Sequence, residues 1–197
     1  YAKSLDAALG AMGIKEADFI GVWGGGLVGL ELASIAPRRI RQLVMADVLY
    51  HDETLRQQLR KHYTPDIRPN WYGGHLLEAW YLMRDQGLFW PWYEQNRKGA
   101  LRKEPHVDPV MIQQRVFELF RSEGMWRHAY QAHFSYPLAR RLSQSKVPLM
   151  FAAPLWDPQY EASQAAARDF PRAPFVELPD EPSRWARTLL PLLNGER

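Results

Sequence analysis

The run Phe19-Ile20-Gly21-Val22-Trp23-Gly24-Gly25-Gly26, "FIGVWGGG", decides the fold. Asp18 to Trp23 reads as a short buried strand. The glycines that follow permit a tight turn and a close approach of backbone to backbone. Leu27 to Ala36 is apolar nearly all round, interrupted by Glu31, which is the pattern of a buried helix. Pro37 stops that helix. Strand, glycine turn and buried helix in this order place residue 23 at the sharp point of a bend.

Outward from this bend, strand and helix patterns alternate. Tyr1 to Met12 carries Leu5, Ala8, Leu9 and Met12 at helical spacing, and Gly13 ends it in the left-handed role that glycine fills without steric cost. Ile40 to Val48, "IRQLVMADV", reads as a second strand ending at an acidic residue. From His51 to about Ser143 no strand pattern is convincing. Helical segments are predicted at Glu53 to His62, His75 to Asp85, Trp90 to Lys98, Pro109 to Ser122 and Met125 to Ser143, the last broken at Pro137. The alternation then resumes: a strand at Val147 to Ala152, a helix at Tyr160 to Asp169, a strand at Ala173 to Leu178 and a helix at Glu181 to Leu193. Such alternation on both sides of a helical insert implies an α/β protein with a parallel sheet of about four strands and crossover helices. Residues 1–50 and 144–197 form the expected core, and residues 51–143 an all-helical cap over the strand ends.

The bulk composition removes several classes of function. A chain of 197 residues can bury a sizeable core. Net charge is only +3, and the basic residues are scattered apart from pairs such as Arg38-Arg39 and Arg140-Arg141. No basic stripe interleaved with aromatics marks a nucleic-acid surface. Cysteine is absent, so disulfides, thiolate metal sites and a cysteine nucleophile are excluded. The histidines show no metal-ligand spacing, and no metal or cofactor is expected. No apolar run reaches membrane-spanning length, and no signal peptide is visible. These readings favour a cytoplasmic setting without fixing it.

The run "LDAALGAMGIKEADFIGVWGGGLVGLELASIAPRRIRQLVMADV" resembles the nucleophile-elbow region of the cap-containing α/β-hydrolase superfamily, in which G-x-S-x-G places a serine at the bend. "VPLMFAAPLWDP" resembles the later strand whose loop offers the catalytic acid. "APFVELPDEPSRWARTLLPLL" resembles the final strand, loop and helix, where the catalytic histidine sits. The resemblance implies a hydrolase fold, with Asp157 at the acid position. It also exposes departures. The nucleophile position holds Trp23, which has no group able to attack a carbonyl. "LPDEPSRW", Leu178 to Trp185, contains no histidine. A triad needs nucleophile, base and orienting acid, so ordinary serine-hydrolase chemistry is not expected. The strands that precede the elbow helix in the resembled family have no counterpart in the chain. One edge of strand 18–23 is therefore expected to be open, to be covered by another protein chain or by a missing N-terminal half.

Each candidate residue has a functional and a structural reading. Trp23 either closes a pocket or fills core. Gly24 and Gly25 either form an anion-facing turn of N–H groups or serve turn geometry alone. Asp157 is either a residual acid or a cap for the helix that follows it. Asp47 is a second acid position, structural in its plainer reading. His75 is either a cap base reaching into a cleft or a surface residue. Trp80, Arg84 and Trp90 mark an aromatic segment that lines a cavity for a small apolar ligand, packs as core, or forms an interface. Arg84 lies one turn beyond Trp80, within reach of its ring or of a nearby acid. The expected function is a pseudoenzyme that binds a ligand or serves as an assembly subunit. The alternative is an active enzyme using non-serine chemistry on a small apolar or aromatic substrate.

Overall fold

The computed structural model describes residues 1–105 and 107–195, so His106 lies outside the described residues. In chain order the first elements are α1 (Ala2–Ala11), β1 (Ala17–Val22), α2 (Gly24–Ile35) and β2 (Ile40–Ala46). Next come α3 (Glu53–His62), α4 (Gly74–Asp85), α5 (Pro109–Arg121), α6 (Met125–Ser135) and α7 (Leu138–Gln144). The chain closes with β3 (Leu149–Pro154), α8 (Tyr160–Asp169), β4 (Phe175–Leu178) and α9 (Trp185–Leu193). The four strands form one parallel sheet in the order β1-β2-β3-β4. Parallel neighbours need crossovers, which α2, α8 and the long helical stretch between β2 and β3 supply.

The chain divides into two compact units, residues 1–51 with 136–197, and residues 52–135. In the first, Leu30, Leu32, Leu43, Met45 and Phe151 build the main core on one face of the sheet. Val44, Ala46, Ala152, Leu178, Leu189 and Leu193 build a second core on the other face, under α9. Alternation along β2 explains both, since Leu43 and Met45 face one way and Val44 and Ala46 the other. Glu31, the one acid in the apolar α2, is held by the Tyr136 hydroxyl at 2.8 Å and by Arg141 at 3.1 Å. In the second unit, Ala79, Leu82 and Met83 of α4 pack with Ile112, Val116 and Leu119 of α5.

Three expectations need correction. Trp90 to Lys98 is not a helix. Pro91 lacks an N–H and disfavours a helical Trp90, and the segment is instead a loop pinned by Trp90 N–H to the Gly99 carbonyl at 2.8 Å and Leu101 N–H to the Leu88 carbonyl at 2.9 Å. It carries the antiparallel bridge Phe89–Ala100. Met125 to Ser143 breaks at Pro137 as expected, into α6 and α7, but α7 packs on α2, so the helical unit ends at Ser135 and not at residue 143. The last helix starts at Trp185, after a 3-10 turn at Pro182–Arg184.

Candidate functional site

The bend after β1 is built by its glycines. A Cβ on Gly21 would lie 2.4 Å from the Gly25 carbonyl carbon and from the Gly26 nitrogen, so only glycine lets β1 and the start of α2 come this close. Gly29 is constrained in the same way, because its Cβ would meet Phe19 and Leu43 side chains at 2.7 Å. Between them Trp23 has φ 52° and ψ −122°. That conformation is uncommon for any bulky residue and costs on the order of 1–3 kcal/mol. The ladder sustains it: Trp23 N–H donates to the Ala46 carbonyl at 3.0 Å, and the Trp23 carbonyl accepts from Gly26 N–H at 3.1 Å. Trp23, Gly24 and Gly25 are all half-buried. The bend thus has the geometry of a nucleophile elbow, and its side chain is an indole.

The ends of β2 and β3 bring together residues that lie far apart in sequence. Asp47, directly after β2, has φ 56°, and its N–H donates to the Ala152 carbonyl of β3 at 2.9 Å. Val48 N–H is taken by Ser163 Oγ of α8 at 2.9 Å. Asp157 follows β3, and its Oδ1 accepts from the Gln159 N–H at 2.7 Å. The Gln159 side chain is engaged in turn by His51, whose Nε2 lies 2.6 Å from Oε1. Asp47 and Asp157 are 1% and 2% exposed. Burial, with the Asp157 charge adding to it, pushes the Asp47 carboxyl up to about 8. Burial also pushes Asp157 up to about 6, against the opposing effect of the Gln159 N–H. Asp47 Oδ1 and Gln159 Nε2 are both buried without a hydrogen-bond partner.

Asp157 does not cap α8. Gln159 holds that position without a side-chain cap, and Asp157 shapes the turn before it. Sequence reasoning reached Asp157 and weighed Asp47, but it missed the link through Gln159 and His51. The signal was available in form: each aspartate sits just past the end of one of two neighbouring parallel strands.

The remaining candidates lie in the helical unit. His75 Nδ1 accepts from the Asn70 N–H at 3.2 Å, and its ring meets Phe120 edge-on with centroids 5.6 Å apart. Arg84 does not stack on Trp80. Its guanidinium lies over the Tyr81 ring, 4.7 Å from the centroid, and its Nε donates to Asp85 at 2.7 Å. Trp80 packs half-buried against the α4–α5 core, and Trp90 is half-buried in the loop that replaces the expected helix. Among the described residues, no group of three His, Cys, Asp or Glu side chains is placed to hold a metal ion, and no helix is long and apolar enough to cross a membrane.

No family model and no curated protein sequence matches this chain. Solved structures do. An α/β-hydrolase enzyme, MGS-M2, from a Medee basin deep-sea metagenome library superposes with a TM-score of 0.65 at 16% identity, over 99% of this chain and 70% of that one. A hydrolase from Pseudomonas aeruginosa gives 0.57 at 17% identity, over 99% of this chain and 68% of the other. Esterase E22 gives 0.62 at 13% identity, over 100% of this chain and 64% of its own. The fold is that of the α/β-hydrolases. At these identities the likeness defines architecture, and function has to be argued from the residues.

Proposed function

We propose that this chain is a non-catalytic α/β-hydrolase-fold protein, a pseudoenzyme that binds a small apolar or aromatic ligand or docks in a larger assembly, with the helical unit as its cap. The observation that carries this reading is Trp23. The backbone at the bend keeps the strained conformation that presents a nucleophile, while the residue there has none. The sequence from Leu178 to Trp185 supports it, since no histidine follows β4. Incubation with p-nitrophenyl acetate and with a fluorophosphonate probe is expected to give neither turnover above buffer nor covalent labelling. Trp23→Ser alone is expected to restore neither. Turnover by the unmodified chain that fell at least tenfold on Asp157→Asn would overturn this reading.

That outcome would favour the second reading, an enzyme working without a serine. The buried acids Asp47 and Asp157 are the observation behind it, because groups held away from their usual titration range suit proton transfer. His75→Ala is the companion variant, as the histidine proposed for the base role, its Nδ1 accepting from the Asn70 N–H. For partners, β1 is the relevant surface. It is an edge strand in the order β1-β2-β3-β4, with Ile20 41% and Val22 40% exposed. We propose that a further strand, from another chain or from the same protein, pairs with that edge. Ile20→Lys is expected to weaken any such association, read by light scattering.

A further inference from the structure

We infer that Asp47 and Asp157 form a single proton-binding site at the ends of β2 and β3, which holds one proton at neutral pH and keeps it on Asp47. This inference is independent of whether the chain turns over a substrate.

The geometry carries it. Both carboxyls are buried, and they stand at the exits of hydrogen-bonded neighbouring strands. Their surroundings are unequal. Asp157 accepts a backbone N–H from Gln159, a contact that favours its ionised form. Asp47 Oδ1 is buried with no donor, so an ionised Asp47 would leave that oxygen uncompensated beside a second carboxylate. Two nearby acids in a water-poor site cannot both ionise freely, and the one with the unpartnered buried oxygen keeps the proton. Asp85 shows what compensation looks like elsewhere in the molecule. It is equally buried, and it is met by Arg84 at 2.7 Å and Gln95 at 2.8 Å.

Among the described residues, no cation forms a hydrogen bond or ion pair with either carboxyl. His51 is turned to Gln159 Oε1, and Gln159 is also the residue whose N–H Asp157 receives. On α8, Ser163 accepts from Val48 N–H, Tyr160 donates its hydroxyl to Glu177, and Asp169 accepts from the Tyr50 hydroxyl. On the β1 side the neighbouring bend presents Trp23, which does not titrate. The proton exchanges with solvent, and nothing else is gained or lost.

The test is 13C NMR of the chain labelled at aspartate Cγ, titrated from pH 4 to pH 10. Two aspartate signals are expected to titrate above pH 5, one near pH 6 and one near pH 8, with the remainder below. Asp47→Asn should remove the upper step. Asp157→Asn should keep a single step above pH 5 and move it to lower pH, because the like charge is gone. If Asp47→Asn does not fold, the shift in Asp157→Asn decides the matter. If neither variant folds, the number of high-pH signals in the unmodified chain decides it. Fewer than two such signals, or an Asp47 midpoint unmoved by Asp157→Asn, overturns the inference.

Discussion

Trp23 and Asp47 occupy equivalent places on neighbouring strands. Each follows the last residue of its strand, Val22 and Ala46, which are paired in register. Each bends the chain with a positive φ, 52° and 56°, and each donates its N–H to the next strand over, at 3.0 Å and 2.9 Å. Their side chains then diverge. One is a half-buried indole with no acid–base chemistry, the other a buried carboxyl with an unpaired oxygen. The backbone of a strand exit is set by how the chain must leave a parallel sheet. The chemistry at that exit is set by the single residue placed on it, and the two can change separately.

Breaking the bend itself should have the largest effect. Gly21→Ala puts a Cβ 2.4 Å from backbone atoms that belong to a turn and a helix start, which have no room to retreat. A loss of more than about 4 kcal/mol is expected, enough to unfold a marginal chain. Urea unfolding of the variant checks it. A loss under about 1 kcal/mol would mean that α2 can slide away from β1, and that the bend is softer than its glycines imply.

The second prediction uses pH to probe the other exit. Asp47 is held up at about 8 in the folded chain, against 3.8 as its ordinary value. The folded state therefore binds more protons than the unfolded state across that window. Stability from this group is greatest at low pH and is lost as pH rises toward about 8, with no further change above it. Between pH 6 and pH 8, the unmodified chain should lose up to about 1.4 kcal/mol per pH unit from this source. Asp47→Asn should remove that slope and be the more stable protein at pH 8. Urea midpoints of both proteins at pH 6, 7 and 8 make the comparison. Parallel curves would show that Asp47 is ionised when folded.

A smaller effect isolates the strain at Trp23. Trp23→Ala and Trp23→Gly both remove the indole, so their difference reports the backbone alone. With φ at 52°, the glycine variant should be more stable than the alanine variant by roughly 1–2 kcal/mol. The same pair at Asp47 should give the same sign. Equal stabilities at residue 23 would break the likeness between the two exits.

The sheet was legible because its signals are local. Apolar runs such as Ile40 to Ala46 and Leu149 to Pro154, each ended by a turn, mark strands whatever surrounds them. The helices of the second unit were mostly legible for the same reason, and Glu53–His62 was placed to the residue. Trp90 to Lys98 departs from the helical expectation at its first residue, where Pro91 disfavours a helical Trp90 and the Gly99 carbonyl takes the Trp90 N–H. The bend was legible through its glycines. The strand-end cluster was not, because Asp47, His51, Asp157 and Gln159 meet only through the pairing of β2 with β3, and neither burial nor an absent partner is written in a residue's own identity. Arg84 meets a nearby acid, one of its two readings, while the ring beneath it is Tyr81 and not Trp80. Asp85 beside it in sequence is buried and takes its Nε, which leaves the guanidinium over Tyr81.

The smallest expected effect distinguishes the two readings of the glycine turn. Gly25 sits in the first turn of α2, and a Cβ there would meet nothing within 4 Å. Its φ is not positive, so alanine is compatible with the backbone. Gly25→Ala should therefore stabilise the chain by up to about 1 kcal/mol, through the lower entropy of the unfolded state and better helix propensity. Turn geometry is carried by Gly21, which alanine at residue 25 leaves untouched. A gain in stability at unchanged ligand affinity would assign Gly25 to the turn alone. A gain in stability with weakened binding of a ligand would mean that the ligand comes up against the backbone at residue 25. In that case, the N–H groups at the start of α2 would remain a working surface although the residue at the point of the bend can no longer attack.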